Sequence, residues 1–285
     1  MIIIDLNQVS ISNLMQQLGN HLNSKLDENM LRHMILNSIR SYNTKFGQDY
    51  GEIVIACDDR NYWRRQIFPY YKAHRKKARE QSELDWSTIF ITLEKIRNEL
   101  KEFFPYKVIH IDNAEADDVI GSLAMKYGTE DPIPLEKPIL ILSGDKDFVQ
   151  LQTFTNVKQY DPIRKKWITH NNPKDYLYEH ICKGDVGDGI PNILSDDNTF
   201  VSDKRQKPMT QKKIDLFKQH GIEDKQIERN FFRNSQLVDL KQIPDYIRTA
   251  VIDKYEEPKT IGKSKLMNYF IEHKLKNLME HVGEF

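Results

Sequence analysis

Residues 138–147 read Pro-Ile-Leu-Ile-Leu-Ser-Gly-Asp-Lys-Asp, a short apolar run that ends in a Gly turn and two acids. Four apolar residues bounded by Pro and Gly are too few for a stable helix, and are typical of a strand buried on both faces of a sheet. Residues 2–4, 52–57 and 106–111 contain three more short apolar runs, and segments of helical period separate the four runs. This alternation predicts an α/β fold with a central, mostly parallel sheet flanked by helices.

The helical segments are recognised by the spacing of their apolar residues. Between residues 28 and 46 these residues recur at steps of three and four, which predicts a helix that Gly47 ends. Similar patterns predict helices over residues 87–103 and 116–127. The stretch 195–213 is polar and has no such period, so we expect it to lack regular structure. The predicted order of elements is βαβαβαβ followed by a second region.

Every predicted strand is followed by an acid. The carboxylates that stand where strands end or turns begin are Asp5, Asp58, Glu115, Asp117, Asp118, Asp145, Asp147, Asp185 and Asp188. Because the carboxyl ends of parallel strands meet at one edge of a sheet, we expect these side chains to converge. Crowded carboxylates repel one another unless a hard divalent cation neutralises them, so the pattern predicts a metal site. The alternative is that acids merely end strands and begin helices, which describes Asp117 and Asp118 well.

Positive charge is concentrated in residues 60–79, which hold eight Lys or Arg, five aromatic residues and no acid. Over the whole chain, 42 basic residues balance 42 acidic ones, so this local segregation is the informative signal. Basic side chains neutralise phosphates and aromatic faces stack on bases, a mixture suited to single-stranded nucleic acid. The alternative is a solvated basic surface or a protein-docking loop.

Other function classes find little support in the sequence. The two cysteines, Cys57 and Cys182, form no CxxC pair, and the nine histidines show no zinc-binding spacing, which argues against a disulfide scaffold or a zinc enzyme. No apolar run approaches the length of a membrane span, so we expect a soluble, cytoplasmic protein. The residues Ile261-Gly262-Lys263-Ser264 lack the first Gly of a phosphate-binding loop and are interpreted as a helix start.

Five short motifs, taken in order, carry a resemblance to a known family. They are Tyr62-Trp63-Arg64-Arg65, Tyr70-Tyr71-Lys72 with Arg75, Glu115-Ala116-Asp117-Asp118, Ser143-Gly144-Asp145-Lys146-Asp147-Phe148, and Lys183-Gly184-Asp185 with Asp188. In this order and spacing the chain resembles the 5′ nuclease family of flap endonucleases and bacterial polymerase 5′-exonuclease domains, most closely its branch of T-even bacteriophage ribonucleases H. The resemblance implies a PIN-like α/β nuclease domain over residues 1–180 with a helical arch at about 60–86. It also implies a helical, duplex-binding region over residues 181–285 that completes the metal site.

The resemblance also implies roles for individual residues. All nine carboxylates match positions that hold two Mg²⁺ ions, for which Mn²⁺ could substitute. The resemblance implies catalytic roles for Lys72, Arg75, Asp117 and Asp145. It implies that nucleic acid is contacted by Arg64, Arg65, Tyr71, Lys72, Arg75, Lys76, Lys77 and Arg79.

The activity implied is metal-dependent 5′ to 3′ hydrolysis of phosphodiester bonds, which removes RNA primers and short DNA or 5′ flaps during replication. The substrates implied are RNA–DNA hybrids and forked DNA with a single-stranded 5′ end. The protein would act as a monomer in a phage-infected cell, with a single-strand-binding protein as a partner of its carboxyl-terminal region. Two alternatives remain: a PIN-type endoribonuclease, or a non-catalytic nucleic-acid-binding relative. One departure from the family is the absence of a Gly-rich hairpin with a Lys-Thr pair after Pro191.

Overall fold

The structure, a computed structural model, describes residues 1–19, 27–133, 136–202 and 204–285. Its centre is a six-stranded sheet with the strand order β3-β2-β1-β4-β5-β6. The strands are β1 (Ile2–Asp5), β2 (Ile53–Cys57), β3 (Lys107–His110), β4 (Ile139–Leu142), β5 (Val157–Asp161) and β6 (Lys166–Ile168). All neighbouring strands are parallel except β6, which runs antiparallel to β5 at the sheet edge.

The first strand lies in the middle of the sheet because it is apolar on both faces. Ile2, Ile3 and Ile4 are completely buried, and successive residues point into different core clusters on opposite faces. In the register, Asp5 lies opposite Ala56 of β2, while Ile4 lies opposite Leu142 of β4. The carboxyl ends of these three strands therefore meet at one edge of the sheet.

Helices cover both faces of the sheet. They are α1 (Leu6–Gly19), α2 (Glu28–Tyr50), α3 (Arg64–Ile67), α4 (His74–Glu80), α5 (Trp86–Phe103), α6 (Ala116–Tyr127), α7 (Pro173–Lys183), α8 (Gln211–His220), α9 (Lys225–Val238), α10 (Asp245–Glu256), α11 (Lys263–Glu272) and α12 (Lys276–Met279). Three 3₁₀ helices span Lys146–Thr153, Leu240–Gln242 and Val282–Glu284. Apolar residues of α2, α5 and α11 pack on one face of the sheet, and those of α6 and α10 on the other. Among the described residues, no helix is both long enough and apolar enough to cross a membrane.

The α/β architecture, the four parallel strands and the helix from Ala116 to Tyr127 confirm the predictions. The prediction that Gly47 ends the second helix is wrong, because α2 continues to Tyr50. Gly51 ends the helix instead: its φ is 82°, and its N–H donates to the carbonyl of Gly47. A glycine inside a helix lowers the helix's stability by only about 1 kcal/mol, so α2 can continue past Gly47. The end of the helix requires a residue with a positive φ, and Gly51 supplies it.

The polar stretch after residue 195 is more ordered than its composition indicates. In its described part, turns are held by side chains: the N–H of Asn192 donates to Oε1 of Gln206 (2.7 Å), and the N–H of Lys207 donates to Oγ of Ser195 (2.8 Å). The helix α8 already begins at Gln211. The expectation that this stretch lacks regular structure is thus confirmed for its described residues before Gln211 and wrong for residues 211–213, which belong to α8. Side-chain hydrogen bonds nevertheless hold its turns in place.

Elements that the sequence did not predict include α1, the β5–β6 hairpin and α7. The predicted division between residues 180 and 181 falls inside α7, which packs on both the 3₁₀ helix Lys146–Thr153 and α9. The existence of two domains stays a prediction.

Candidate active site

The strand-end edge of the sheet carries a cluster of carboxylates that line one cavity of about 630 Å³. Asp5 is the last residue of β1, Asp58 follows β2, Asp117 lies in the first turn of α6, and Asp145 follows β4. Asp188, which comes from the loop after α7, lines the same cavity. The ends of three parallel strands, the first turn of one helix and one loop thus bring together five of the acids that the sequence predicted to converge.

The floor of the cavity is held in place by hydrogen bonds from neighbouring elements. Asp5 accepts from the N–H of Gln8 (3.0 Å) and from Oγ of Ser143 (3.3 Å). Asp58 accepts from the N–H of Ala116 (2.6 Å) and from the side-chain amide of Asn7. The Gln8 amide oxygen in turn accepts from the N–H of Gly144 (2.6 Å), which ties the first turn of α1 to the loop after β4.

The carboxyl groups of the cluster have raised pKa values although the charge of Lys72 acts to lower them. Burial, followed by the charges of Glu115 and Asp5, raises the pKa of Asp58 to about 7. Burial and the neighbouring Asp147 raise the pKa of Asp145 to about 7 as well. The pKa of Asp117 is raised well above its ordinary value by burial and then by Asp145. Carboxyl groups in this state favour either protons or a bound cation, and an all-oxygen donor set suits a hard divalent ion. The residues present therefore fit a divalent metal.

Glu115 has a different environment, because three groups of residues 60–86 surround it. It accepts hydrogen bonds from Nη1 of Arg64 (2.9 Å), the Tyr71 hydroxyl (2.9 Å) and Nζ of Lys72 (2.5 Å). Although its burial raises its pKa, the charges of Lys72 and Arg64 outweigh that effect and hold the pKa below its ordinary value. Glu115 is therefore a buried, ionised anchor for this segment.

Lys72 is fixed both by its backbone and by its side chain. Its φ of 55° is in the left-handed region, and its N–H donates to the carbonyl of Asp188 (2.7 Å). Burial lowers its pKa, but the charges of Glu115 and Asp188 outweigh burial and raise the pKa above its ordinary value. Arg75 pairs with Asp188 at 2.7 Å and remains partly exposed. Two permanent positive charges thus stand beside the carboxylates, and a left-handed conformation held this firmly is typical of functional positions.

Residues 60–86, here called the covering segment, lie over the cavity. The segment contains α3 and α4, and it lines a second cavity of about 550 Å³ that shares Asp58, Tyr62 and Lys72 with the first. Arg65 and Arg79 line this passage, with their guanidinium groups over the rings of Tyr62 (4.8 Å) and Phe90 (5.8 Å). Lys76 and Lys77 are exposed on the outside. A basic, aromatic passage therefore leads across the carboxylate cluster.

The chain was compared with known proteins. The family model for the 5′-3′ exonuclease N-terminal, resolvase-like domain matches residues 12–179. The family model for the T4 RNase H C-terminal region matches residues 173–285. The chain belongs to the 5′-3′ exonuclease family. Ribonuclease H of Enterobacteria phage T4 is 33% identical over 99% of this chain and 95% of its own length. A 5′-3′ exonuclease of Buchnera aphidicola is 30% identical over 50% of this chain and 47% of its own length.

Two solved structures of bacteriophage T5 enzymes share the fold of this 5′-3′ exonuclease family member. The T5 5′-exonuclease with bound divalent zinc ions has a TM-score of 0.62, 16% identity, and coverage of 90% of this chain and 98% of that chain. A T5 flap endonuclease in a pseudo-enzyme-product complex with DNA and metal ions has a TM-score of 0.61, 16% identity, and coverage of 90% and 99%. The family depends on divalent metal ions, and this chain is a metal-dependent 5′ nuclease.

Three predicted site residues of this family member lie too deep for their predicted contacts. Arg64 is 2% exposed, and besides Glu115 it contacts Asp118 (2.8 Å) and donates to the carbonyl of Leu237 (2.9 Å). Tyr71 is 1% exposed, so its ring cannot stack on a base, and its hydroxyl donates to Glu115 and Asp188. The predictions that Arg64 and Tyr71 touch nucleic acid are corrected accordingly. Both hold the covering segment to the acid cluster.

Asp118 is the third of these residues. It is fully buried and accepts from the Trp63 indole N–H (3.0 Å) and from the N–H of Glu115 (2.8 Å). Because its neighbour Arg64 neutralises it inside the protein, the prediction that Asp118 binds a metal ion directly is corrected. Successive residues of a helix point in different directions, which separates Asp118 from Asp117.

Asp147 and Asp185 form a separate group beyond the main cavity, together with a histidine that the sequence analysis had not considered a site residue. Nε2 of His180 lies 2.8 Å from Oδ1 of Asp147 and 3.5 Å from Oδ2 of Asp185. Other supporting residues that sequence reasoning missed are Asn7 and Gln8. In the sequence, Asn7 and Gln8 are marked by their position two and three residues after the strand-end acid Asp5. His180 is marked by its position at the end of α7, five residues before Asp185.

Proposed function

We propose that this nuclease removes RNA primers and short DNA or 5′ flaps from replication intermediates, cutting 5′ to 3′ with two Mg²⁺ ions for which Mn²⁺ can substitute. The relatives named ribonuclease H, 5′-3′ exonuclease and flap endonuclease support this choice of substrates. The observation that carries the proposal is the pairing of a buried, permanently charged Lys72 with the carboxylate cluster beneath a basic passage.

In this proposal the carboxylates Asp5, Asp58, Glu115, Asp117 and Asp145 surround the first ion, directly or through water. When bound, the two ions would activate a water molecule and neutralise the charge on the leaving oxygen. Asp5, Asp58 and Glu115 would hold that region rigid, because each already accepts hydrogen bonds from other elements.

The cations of the covering segment have two further roles in the proposal. Lys72 supplies a fixed ammonium group that offsets the negative charge gained by the scissile phosphate, and Arg75 orients that phosphate. Neither side chain transfers a proton, since the pKa of Lys72 is held above its ordinary range. Arg65, Lys76, Lys77 and Arg79 contact phosphates of the single-stranded 5′ end along the passage.

The test is digestion of a 5′-labelled RNA–DNA hybrid and a forked substrate with a single-stranded 5′ flap. We expect cutting from the 5′ end with Mg²⁺, no cutting with EDTA, and a loss of at least about 100-fold in rate for Asp145→Asn. Asp49→Asn is the matched control, because Asp49 is exposed at the end of α2, before the opposite edge of the sheet. Its rate should equal that of the unmodified protein.

Four results would overturn the proposal. Metal-independent cutting, or full activity of Asp145→Asn, would refute the two-metal mechanism. Internal cutting of single-stranded RNA without any need for a 5′ end would instead indicate the PIN-type endoribonuclease. A protein that bound the forked substrate without cutting it under any metal would be the non-catalytic relative.

The proposal extends to the setting of the reaction. We propose that the protein acts as a monomer in the cytoplasm of a phage-infected bacterium, with a single-strand-binding protein that docks on its carboxyl-terminal region. Sedimentation of the protein with and without such a partner tests both statements. A stable homodimer would contradict the first, and an unchanged sedimentation coefficient in the mixture would contradict the second.

A further inference from the structure

The passage beside the carboxylate cluster is lined by two kinds of surface. Three cations of the covering segment, Lys72, Arg75 and Arg79, line both of its cavities. The helix α5 lines both cavities as well, with Phe90 and Leu93. A cationic surface and a largely apolar surface therefore border the same space.

The apolar residues of α5 form one continuous strip. Trp86, Phe90 and Leu93, here called the α5 strip, are spaced by four and three residues, so they lie on one face of the helix. All three line the cavity that holds the carboxylates. The rings of Trp86 and Phe90 have centroids 5.7 Å apart and an interplanar angle of 35°. Trp86 and Leu93 also pack partly against the core, which fixes the strip in place.

The Phe90 ring is available to a ligand. It is 46% exposed and belongs to neither of the two core clusters on the faces of the sheet. Its neighbour Ile91 is also exposed and lines the second cavity. The charged residues that α5 adds to that cavity, Glu94 and Arg97, pair with each other at 3.3 Å, so α5 presents no net charge to a phosphate. Contiguous apolar surface with a polar rim is typical of a binding site.

Arg79 connects the two surfaces. Its guanidinium lies 5.8 Å from the centroid of the Phe90 ring, near the outer limit of a cation–π contact. A phosphate held by Arg79 would therefore lie close to a base that rests on Phe90. A nucleotide has the same two parts, an anionic phosphate and a base with flat apolar faces. In a duplex these faces are covered by stacking on neighbouring bases, whereas a single strand can offer them to an aromatic ring.

We propose that the α5 strip is a base-stacking platform, on which Phe90 holds a base of the single-stranded 5′ end while Arg75 and Arg79 hold its phosphates. The inference rests on the proposed function, because it concerns the strand that is brought to the carboxylates. It adds a requirement that positive charge alone would not impose, namely that the strand carries bases. Every base has a flat aromatic face, so the platform selects single strands without reading their sequence.

The competing explanation is a structural role for the same contact. In that case Phe90 serves only as the surface on which Arg79 fastens α4 to α5, and no base touches it. The two explanations differ for a strand that has phosphates but no bases. A purely structural contact would not distinguish this strand from an ordinary one, whereas the platform would bind it less tightly.

The deciding experiment measures the affinity of the full chain for two forked DNA substrates by fluorescence anisotropy in EDTA. Their single-stranded 5′ flaps have equal numbers of phosphates, but one flap carries bases and the other consists of abasic tetrahydrofuran residues. We expect the unmodified protein to bind the intact flap at least about fivefold more tightly, the factor that one stacked base supplies. Phe90→Tyr keeps the ring and should keep this preference, whereas Phe90→Leu should reduce it below about twofold.

Tyr246→Leu is the matched control for the loss of an exposed aromatic ring. Tyr246 is exposed in the first turn of α10, which packs on the face of the sheet opposite to α5. Its preference for the intact flap should equal that of the unmodified protein. In Phe90→Leu the slope of log affinity against log salt should stay unchanged, because no phosphate contact is lost.

Three outcomes would overturn the inference. The first is equal affinity of the unmodified protein for the two flaps, a result that needs no variant. The second is an unchanged preference in a folded Phe90→Leu variant. The third is a lower salt slope in that variant, which would show that the substitution acts by displacing Arg79 from its phosphate. Cutting of the intact flap in Mg²⁺ is recorded in parallel, because its absence would refute the proposed function independently of binding in EDTA.

Discussion

The adjacent residues Arg64 and Arg65 should respond in opposite ways to the same substitution. Arg64 is buried, and its guanidinium contacts Glu115 (2.9 Å), Asp118 (2.8 Å) and the carbonyl of Leu237 (2.9 Å). In Arg64→Gln the buried carboxylate of Asp118 loses its counter-charge and Glu115 keeps only Lys72, which costs about 3–5 kcal/mol of unfolding free energy. In a chain of 285 residues that loss corresponds to a fall in Tm of about 5–8 °C.

Arg65 lies on the surface, where its main contact is the Tyr62 ring. Arg65→Gln should change the unfolding free energy by less than about 1 kcal/mol, the usual value of an exposed cation–π contact. It should instead weaken binding of forked DNA and reduce the slope of log affinity against log salt by about 1, since one phosphate contact is lost.

The assays are urea unfolding followed by circular dichroism, and fluorescence anisotropy of labelled forked DNA in EDTA at several salt concentrations. Binding is measured well below the Tm of the weaker variant, so that both proteins are folded. The reasoning is refuted if Arg64→Gln keeps the stability of the unmodified protein, or if its salt slope falls while that of Arg65→Gln stays unchanged.

Three further predictions concern the glycines Gly184 and Gly51, the passage residue Arg79, and the carboxylate cluster. Gly184→Ala should destabilise the protein more than Gly51→Ala, which should cost about 1 kcal/mol of unfolding free energy because of its positive φ alone. A Cβ at Gly184 would also overlap the carbonyl oxygens of Ile190 and Pro191, whereas a Cβ at Gly51 meets nothing. Equal unfolding midpoints of the two variants would contradict this prediction. Arg79→Gln should lower forked-DNA affinity similarly for different sequences, as expected of a phosphate contact, and a sequence-dependent effect would count against it. Asp58 and Asp145 have folded pKa values of about 7 against an ordinary value of 3.8, so their contribution to stability is lost as pH rises from about 4 through 7. Mg²⁺ should therefore raise the Tm more at pH near 7.5 than near 5.5, and a pH-independent increase would disprove the assignment.

The positions of the strand-end acids could be predicted because a parallel sheet leaves few alternatives. Once residues 2–4, 52–57 and 138–142 are strands of one parallel sheet, their carboxyl ends must share an edge, and Asp5, Asp58 and Asp145 follow. The helix that begins at Ala116 adds Asp117, because its start is marked by acids that accept backbone N–H groups. These inferences need only local patterns and one topological rule.

What the sequence did not predict is which member of a charged pair of neighbours points inward. Arg64 and Arg65 are adjacent in α3, a helix of four residues, and no periodicity can be extracted from so short an element. The sequence likewise did not predict that only Asp117, and not its neighbour Asp118, lines the cavity. His180 was missed because its nearer partner, Asp147, lies in an element that is remote in sequence.

The buried cations explain how a surface segment with so much positive charge keeps a defined place over the carboxylates. Arg64, Tyr71 and Lys72 all converge on Glu115, and Arg64 also reaches the end of α9 through the carbonyl of Leu237. Removing Glu115 would therefore leave Arg64 with only Asp118 and Lys72 with only Asp188 as anionic partners, and it would remove the one residue that all three side chains share. Arg65 and Arg79 line the second cavity, whereas Arg64 and Lys72 are held in the interior by carboxylates. The proposed binding role and the anchoring role are thus divided among residues that look alike in the sequence, and Glu115 is the residue that the anchoring side chains share.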